Sequence, residues 1–231
     1  MKIRVSANKL AEFITAKTPA RRKAIVRDIK RPKKGFAPWY AAFRTPAKTF
    51  LLRGSKDTSP LDAAIEEMKT RKGNDWLNTD SAITAQALKA LIDAGPILRA
   101  LKVEFMKVPT GPKEKLEFGE VEVTVTPDLI VKGERSGKPL VGALRFYIAK
   151  ESTYQLGKRG AELVAGMQYQ WLVKNATGTR VPDTTLCMVL ECFQQRVTKA
   201  SDDHATDLDV IKRGCDDFAR LWHLLDDEEA A

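Results

Sequence analysis

Histidine and cysteine are scarce in this chain. Its 231 residues include two histidines, His204 and His223, and three cysteines, Cys187, Cys192 and Cys215. The cysteines form no CxxC pair, and an odd number gives no disulfide framework. So few nitrogen and sulfur ligands, at such spacings, argue against a structural zinc site. Cys187 sits in an apolar run with no histidine near it in sequence, which argues against a nucleophile. No apolar run reaches the roughly 18 residues of a membrane-spanning helix. Met1–Val5 leads into a polar, basic segment rather than an apolar signal core, so the expected setting is cytoplasmic, without a membrane partner. The chain also lacks GxxxxGK[ST], GxGxxG, GxSxG and HExxH, the short signatures of several nucleotide-binding and hydrolytic sites.

Apolar residues make up 43% and charged residues 30%, ordinary values for a globular protein, so wholesale disorder is not expected. The net charge of +9 is unevenly placed. Residues 1–34 hold twelve Lys/Arg against Glu12 and Asp28, whereas residues 200–231 hold ten Asp/Glu against Lys212, Arg213 and Arg220. A strongly basic end attracts polyanions, and release of their condensed counterions makes such binding salt-sensitive. The cations available for nucleic acid are Arg21, Arg22, Lys23, Arg27, Lys30, Arg31, Lys33 and Lys34, with DNA favoured over RNA. The competing readings are a solvated helical face, or pairing of the basic start with the acidic end. That acidic end is also a candidate surface for a protein partner.

Periodicity places the elements. Ser6 suits a helix cap before Leu10, Phe13 and Ile14, and Thr18-Pro19 opens a second helix with Ile25, Val26 and Ile29 on one stripe. The apolar segment from Trp39 to Leu52 is expected to break at Pro46. Ser59-Pro60 starts another helix, and Thr79 or Asp80 starts a further one that ends at Gly95-Pro96. The first 96 residues thus read as helical. Beyond them the period falls to two, around Val103 and Phe105, then at Val121, Val123 and Val125, the last strand expected to bend on through Pro127-Asp128. Glu134 to Gly137 forms a turn and Leu140 to Ile148 a buried strand. A helix follows from about Lys158 to Val173, then apolar Leu186 to Phe193, a short strand at Gln195–Lys199, and a last helix from about Asp207 to Leu225. The tail from Asp226 to Ala231 is expected to fray.

From Thr79 onward this gives the order αβββαβ in a mixed α/β (α+β) chain. The order is similar to the core of the PD-(D/E)XK nuclease superfamily, including RecB-like exonucleases. Pro127-Asp128 matches the family's second-strand PD, and Arg145 falls where its third-strand lysine would stand. Gln168 lies in the region of the RecB-like glutamine motif, although the tyrosine four residues on is replaced by Leu172. The resemblance divides the chain into a basic helical elaboration (1–78), a nuclease-like core (79–199) and a C-terminal helix with an acidic tail (200–231).

The resemblance implies phosphodiester hydrolysis assisted by Mg2+ or Mn2+, with Asp128 on the metal and Arg145 on the phosphate. Residues two apart on a strand share a face, so positions 143 and 145 face the same way. In the family they are carboxylate and lysine. Here they are Ala143 and Arg145, and a guanidinium clamps phosphate without readily accepting a proton. The carboxylates available to complete a metal site are Glu66 or Glu67 on an early helix and Glu120 or Glu122 on a strand. The expected function is nucleic-acid binding on a nuclease-like fold with altered or impaired metal catalysis. The alternative is a non-enzymatic binding or regulatory protein of phage, mobile-element or defence origin, acting on nucleic acid or a protein partner.

Overall fold

The computed structural model describes residues 2–32, 40–111, 113–150, 155–175 and 178–230, with 226–230 as backbone. The first strand, β1 (Ile3–Ser6), is absent from the reading above although Ile3 and Val5 alternate with Arg4 and Ser6; the two apolar residues are buried and the two polar ones exposed. Ser6 then caps α1 (Ala7–Thr15), its hydroxyl accepting the Lys9 N–H at 3.3 Å. Thr18 does the same for α2 (Pro19–Lys30), accepting from Arg21 at 3.2 Å. Each cap satisfies a helix-start N–H that would otherwise go unpaired.

A 3-10 turn at Ala41–Phe43 leads into α3 (Arg44–Leu52). Pro46 falls in the first turn of α3, where a proline costs no intrahelical bond, so it does not break the segment. Next come α4 (Ser59–Thr70) and α5 (Asp75–Asp93). The cap of α5 is Asn74, accepting from Leu77 N–H at 2.9 Å, one turn before the expected start. Thr79, expected as a cap, instead donates from inside the helix to the Asp75 carbonyl at 2.7 Å. Gly95-Pro96 does not simply end this run, because α6 (Gly95–Ala100) starts there.

The strands are β2 (Glu104–Met106), β3 (Leu116–Phe118), β4 (Val121–Thr124), β5 (Leu129–Arg135) and β6 (Lys138–Tyr147). After α7 (Gly157–Asn175) come β7 (Val181–Pro182), β8 (Met188–Glu191), β9 (Arg196–Lys199) and α8 (His204–Ala230). The main sheet has the order β2-β5-β6-β8-β9, with β7 also beside β6. Its β2-β5-β6 part is antiparallel, and β8 runs parallel to β6 after the α7 crossover. A second sheet, β1-β4-β3, holds β4 apart from β5, so the strand at Val121 does not run on through Asp128. Pro127, which has no N–H for a ladder, lies in the crossing between the two sheets.

The main sheet is covered on both faces. Leu129, Val131, Leu144, Phe146, Met188 and Leu190 pack with the helices α3 to α6. Ile130, Val141, Ala143, Tyr147 and Val189 turn the other way, into a cluster with α1, α2, α7, α8 and the small sheet. This alternation explains why β6 and β8 read as continuous apolar runs. The first 78 residues are therefore split between the two faces. α1 packs on α7 and α8, α2 packs on α8, and α3 packs on α4.

One turn sets the register on which the site depends. Ser136 and Gly137 both have positive φ, 51° and 75°, and form a two-residue hairpin loop between Arg135 and Lys138. Loops of this length with two left-handed residues match the twist of the paired strands and fix their register. Counting back, Leu129 pairs with Leu144, and the next backbone bond runs from the Asp128 N–H to the Leu144 carbonyl at 2.8 Å. Asp128 and Arg145 are thereby brought side by side across two strands.

Candidate functional site

Asp128 is 2% exposed, and its carboxylate is surrounded by cations. Arg44 of α3 donates to Oδ1, and the Lys48 ammonium, one helical turn on, lies 3.6 Å from the same oxygen. Oδ2 accepts from the Phe146 N–H at 2.9 Å and from Arg145 Nη1 at 3.3 Å. Arg145 is held a second time by the Thr126 carbonyl at 2.6 Å, so its guanidinium ties β6 to two points of the crossing chain just before β5. Burial pushes the Arg145 guanidinium below its usual pKa. The Asp128 charge opposes that shift and the Arg44 charge reinforces it.

Three cations thus meet one carboxylate. A divalent ion asks for several oxygen ligands, and here the one carboxylate's lone pairs already take N–H donors. The position where a second carboxylate would stand is Ala143, fully buried in the apolar cluster under α1 and α7. Three of the carboxylates considered as replacements have partners of their own, Glu120 pairing with His223 at 2.7 Å. Glu66 is paired with Lys69 at 2.6 Å on α4, and Glu122 on β4 lies between Lys115 at 2.5 Å and Arg4 at 3.1 Å. Among the described residues, no three His, Cys, Asp or Glu side chains gather as a metal site. The residues around Asp128 therefore do not fit Mg2+ or Mn2+.

Gln168 comes into the same neighbourhood. It is buried on α7, donating from Nε2 to the Met188 carbonyl at 2.9 Å, and its Oε1 has no hydrogen-bond partner among the described residues. With Arg145 and the first residues of α1 it lines a void of about 10 Å3, close to the room one water needs. Its contacts fix α7 to the start of β8.

Beyond Arg44 the surface opens into a cleft of about 600 Å3, between α1, α5 and the end of β6. Lys9, Arg44 and Lys150 line it, together with Glu12, Tyr40 and Tyr147. The Tyr147 hydroxyl donates to Glu12 Oε1 at 3.1 Å, and Lys9 donates to Oε2 at 2.8 Å. Burial raises the Tyr147 pKa above its usual value, and the charges of Glu12 and Glu191 add to this. The phenol stays protonated and acts as a donor.

The basic helix α2 behaves differently. Arg21 lies 3.8 Å from Glu12. Arg22 reaches the Ile14 carbonyl at 3.4 Å and lies 5.5 Å from the Phe13 ring centre. Lys30 donates to the Trp222 carbonyl at 3.0 Å and sits over the Trp222 ring. Lys23 is half-buried, while Arg27 and Arg31 are exposed. Lys33 and Lys34 lie outside the described residues. All three cysteines are buried and free, with the Cys187 and Cys215 thiols pushed up to about 12 by burial, which suits packing rather than nucleophilic attack.

Of the residues gathered here, sequence reasoning passes over Lys48, Glu12 and Tyr147, and meets Arg44 only as a cation beside Trp39 and Tyr40, which read as base-stacking candidates or an apolar anchor. A signal existed for the α3 pair, since Arg44 and Lys48 are four apart and share a helical face once α3 is read through Pro46. Tyr147 shares a strand face with Arg145, two residues on. No family model, no curated protein and no solved structure matches this chain.

Proposed function

We propose that this protein binds nucleic acid, DNA in the first instance, through the cations around Asp128 and the adjoining cleft, and that it does not cut it by a metal mechanism. The observation that carries this reading is the convergence of Arg44, Lys48 and Arg145 on one buried carboxylate, with Arg44 also lining the cleft. Three charges against one leave a local excess of positive charge, in a chain whose net charge is +9. Guanidinium groups match phosphate oxygens in geometry and stay charged, so the arrangement suits phosphodiester groups. Lys9 and Lys150 extend the cationic lining along the cleft.

The sheet order β2-β5-β6-β8, preceded by α5 and α6, interrupted in the chain by β3 and β4 of the second sheet and crossed by α7, supports a nuclease-like scaffold as the origin of this surface. Ala143 and Arg145 then replace the groups that metal-assisted hydrolysis needs, and the same strands serve for binding.

The test is binding of labelled single- and double-stranded DNA and RNA at rising salt, alongside incubation with Mg2+ or Mn2+. We expect affinity to fall steeply with salt. For the Arg44→Ala/Lys48→Ala variant, the slope of log affinity against log salt should drop by about two. No cleavage is expected with either metal. A flat salt response would overturn the binding reading, and metal-dependent cleavage abolished by Asp128→Asn would restore the enzyme.

A further inference from the structure

We propose that the cleft beside Arg44 takes a single unpaired nucleotide of the bound strand, and that Glu12 reads its base. This rests on the nucleic-acid reading above and adds a ligand class to it. The cleft's size comes first. About 600 Å3 falls within the range of pockets that enclose a small organic ligand, and a duplex cannot enter it. One nucleotide out of the stack can.

The chemistry of the walls comes second. Lys9, Arg44 and Lys150 provide cations for the phosphates, while Ile83, Ile148 and Ala149 provide an apolar surface for a base face. Among these cations one carboxylate is out of place. Glu12 repels phosphate, so it does not serve the backbone. Its side chain is 10% exposed, and three partners fix it: Tyr147 on Oε1, Lys9 on Oε2, and Arg21 at 3.8 Å. A carboxylate has about four acceptor positions, of which these hydrogen bonds use two. The remaining lone pairs can accept only from N–H or O–H groups. Bases differ in what they offer there. Guanine presents two parallel donors, N1–H and the 2-amino group, which a carboxylate can take together. Thymine and uracil present one N–H between two carbonyl oxygens, which the carboxylate repels. Glu12 therefore favours guanine and disfavours thymine and uracil.

The experiment compares oligothymidylate with strands of equal length carrying a guanosine in place of one thymidine, the two strands matched at each point of a salt series. We expect the wild-type protein to bind the guanosine strand about tenfold more tightly, the low end of what one bidentate base contact gives. In Glu12→Gln, whose amide places a donor against guanine's donors, the preference should shrink to within about twofold. Equal wild-type affinity for the two strands overturns the proposal, and this comparison needs no variant. So does a preference that survives in Glu12→Gln. Strands that bind with the expected salt slope but without preference remove the base pocket and leave the binding reading standing. Strands that bind at no salt concentration remove both.

Discussion

α2 and α3 both carry positive charge, and they use it in opposite ways. α2 presents Arg21, Arg22, Lys23, Arg27 and Lys30 within one helix, yet the cations whose contacts are described go to different places: Glu12, the Ile14 carbonyl with the Phe13 ring, and Trp222 on α8. α3 contributes only Arg44 and Lys48, and both reach one carboxylate that Arg145 reaches from the other side. Density of charge along a helix therefore says little about where charge converges. Convergence on α3 comes from the hairpin register that puts Asp128 beside Arg145 and from a helix turn that stacks Arg44 over Lys48. On α2 the cations do what long basic side chains commonly do, covering apolar surface and closing helix–helix contacts.

The sharpest way to break this contrast is to remove the group on which the α3 side converges. Asp128→Ala leaves three cations facing one another, one of them largely desolvated, and strips the buried Phe146 N–H of its acceptor. Breaking a buried charge pair by removing one partner costs about 3–5 kcal/mol, and that is the loss of stability expected in urea unfolding. Asp128→Asn keeps an acceptor and should fall between. A loss under about 1 kcal/mol for Asp128→Ala would mean that the cluster is an exposed ion pair of small value and not an organising centre.

Affinity gives the next largest effect and compares the two helices directly. Arg44→Ala is expected to weaken binding of DNA about tenfold at moderate salt and to reduce the salt slope by about one. Arg27→Ala, from the exposed side of α2, is expected to change affinity less than about threefold, because an isolated surface cation adds only to the long-range field. Filter binding or fluorescence anisotropy across a salt series measures both. The reverse ranking would move the proposed nucleic-acid surface to α2 and leave the α3 cluster with a structural role.

How much of this was legible in the sequence follows from how local each signal is. Ser6 and Thr18 cap the helices expected of them, because a cap depends on residues three positions away. Strand β6 and helix α7 are readable for the same reason, β6 as an apolar run behind a polar turn and α7 by its helical stripe, whereas β5 reads from sequence only as the far end of the strand at Val121. β1 and β3 owe their strand form to pairing with β4, and at four and three residues each is too short for its pattern to stand out, even where Ile3 and Val5 alternate with polar neighbours. Pro46 reads from sequence as a helix breaker, but its place in the first turn of α3 makes it harmless. That error hid the four-residue spacing of Arg44 and Lys48. For the site, Asp128, Arg145 and Gln168 were named from sequence and do lie near one another. Glu66 and Glu122 were named as their metal partners and are instead paired with local cations, since nothing in a sequence tells which far-off carboxylate folds toward another.

The smallest expected effect tests the quiet side of the comparison. Lys30 donates to the Trp222 carbonyl and lies 5.3 Å from the centre of that ring, tying α2 to α8. A hydrogen bond and a cation–π contact at a partly exposed position are each worth about 0.5–1.5 kcal/mol, and they overlap here. Lys30→Ala should therefore cost about 1 kcal/mol in stability, while DNA affinity at moderate salt changes less than about threefold. Lys30→Arg, which keeps the charge and can still stack on the indole, should recover most of the loss. If Lys30→Ala instead leaves stability unchanged and removes a unit of salt slope, then Lys30 faces phosphate rather than Trp222 in solution. α2 would then share in binding with α3, and the division of labour between the two helices would fail at that residue.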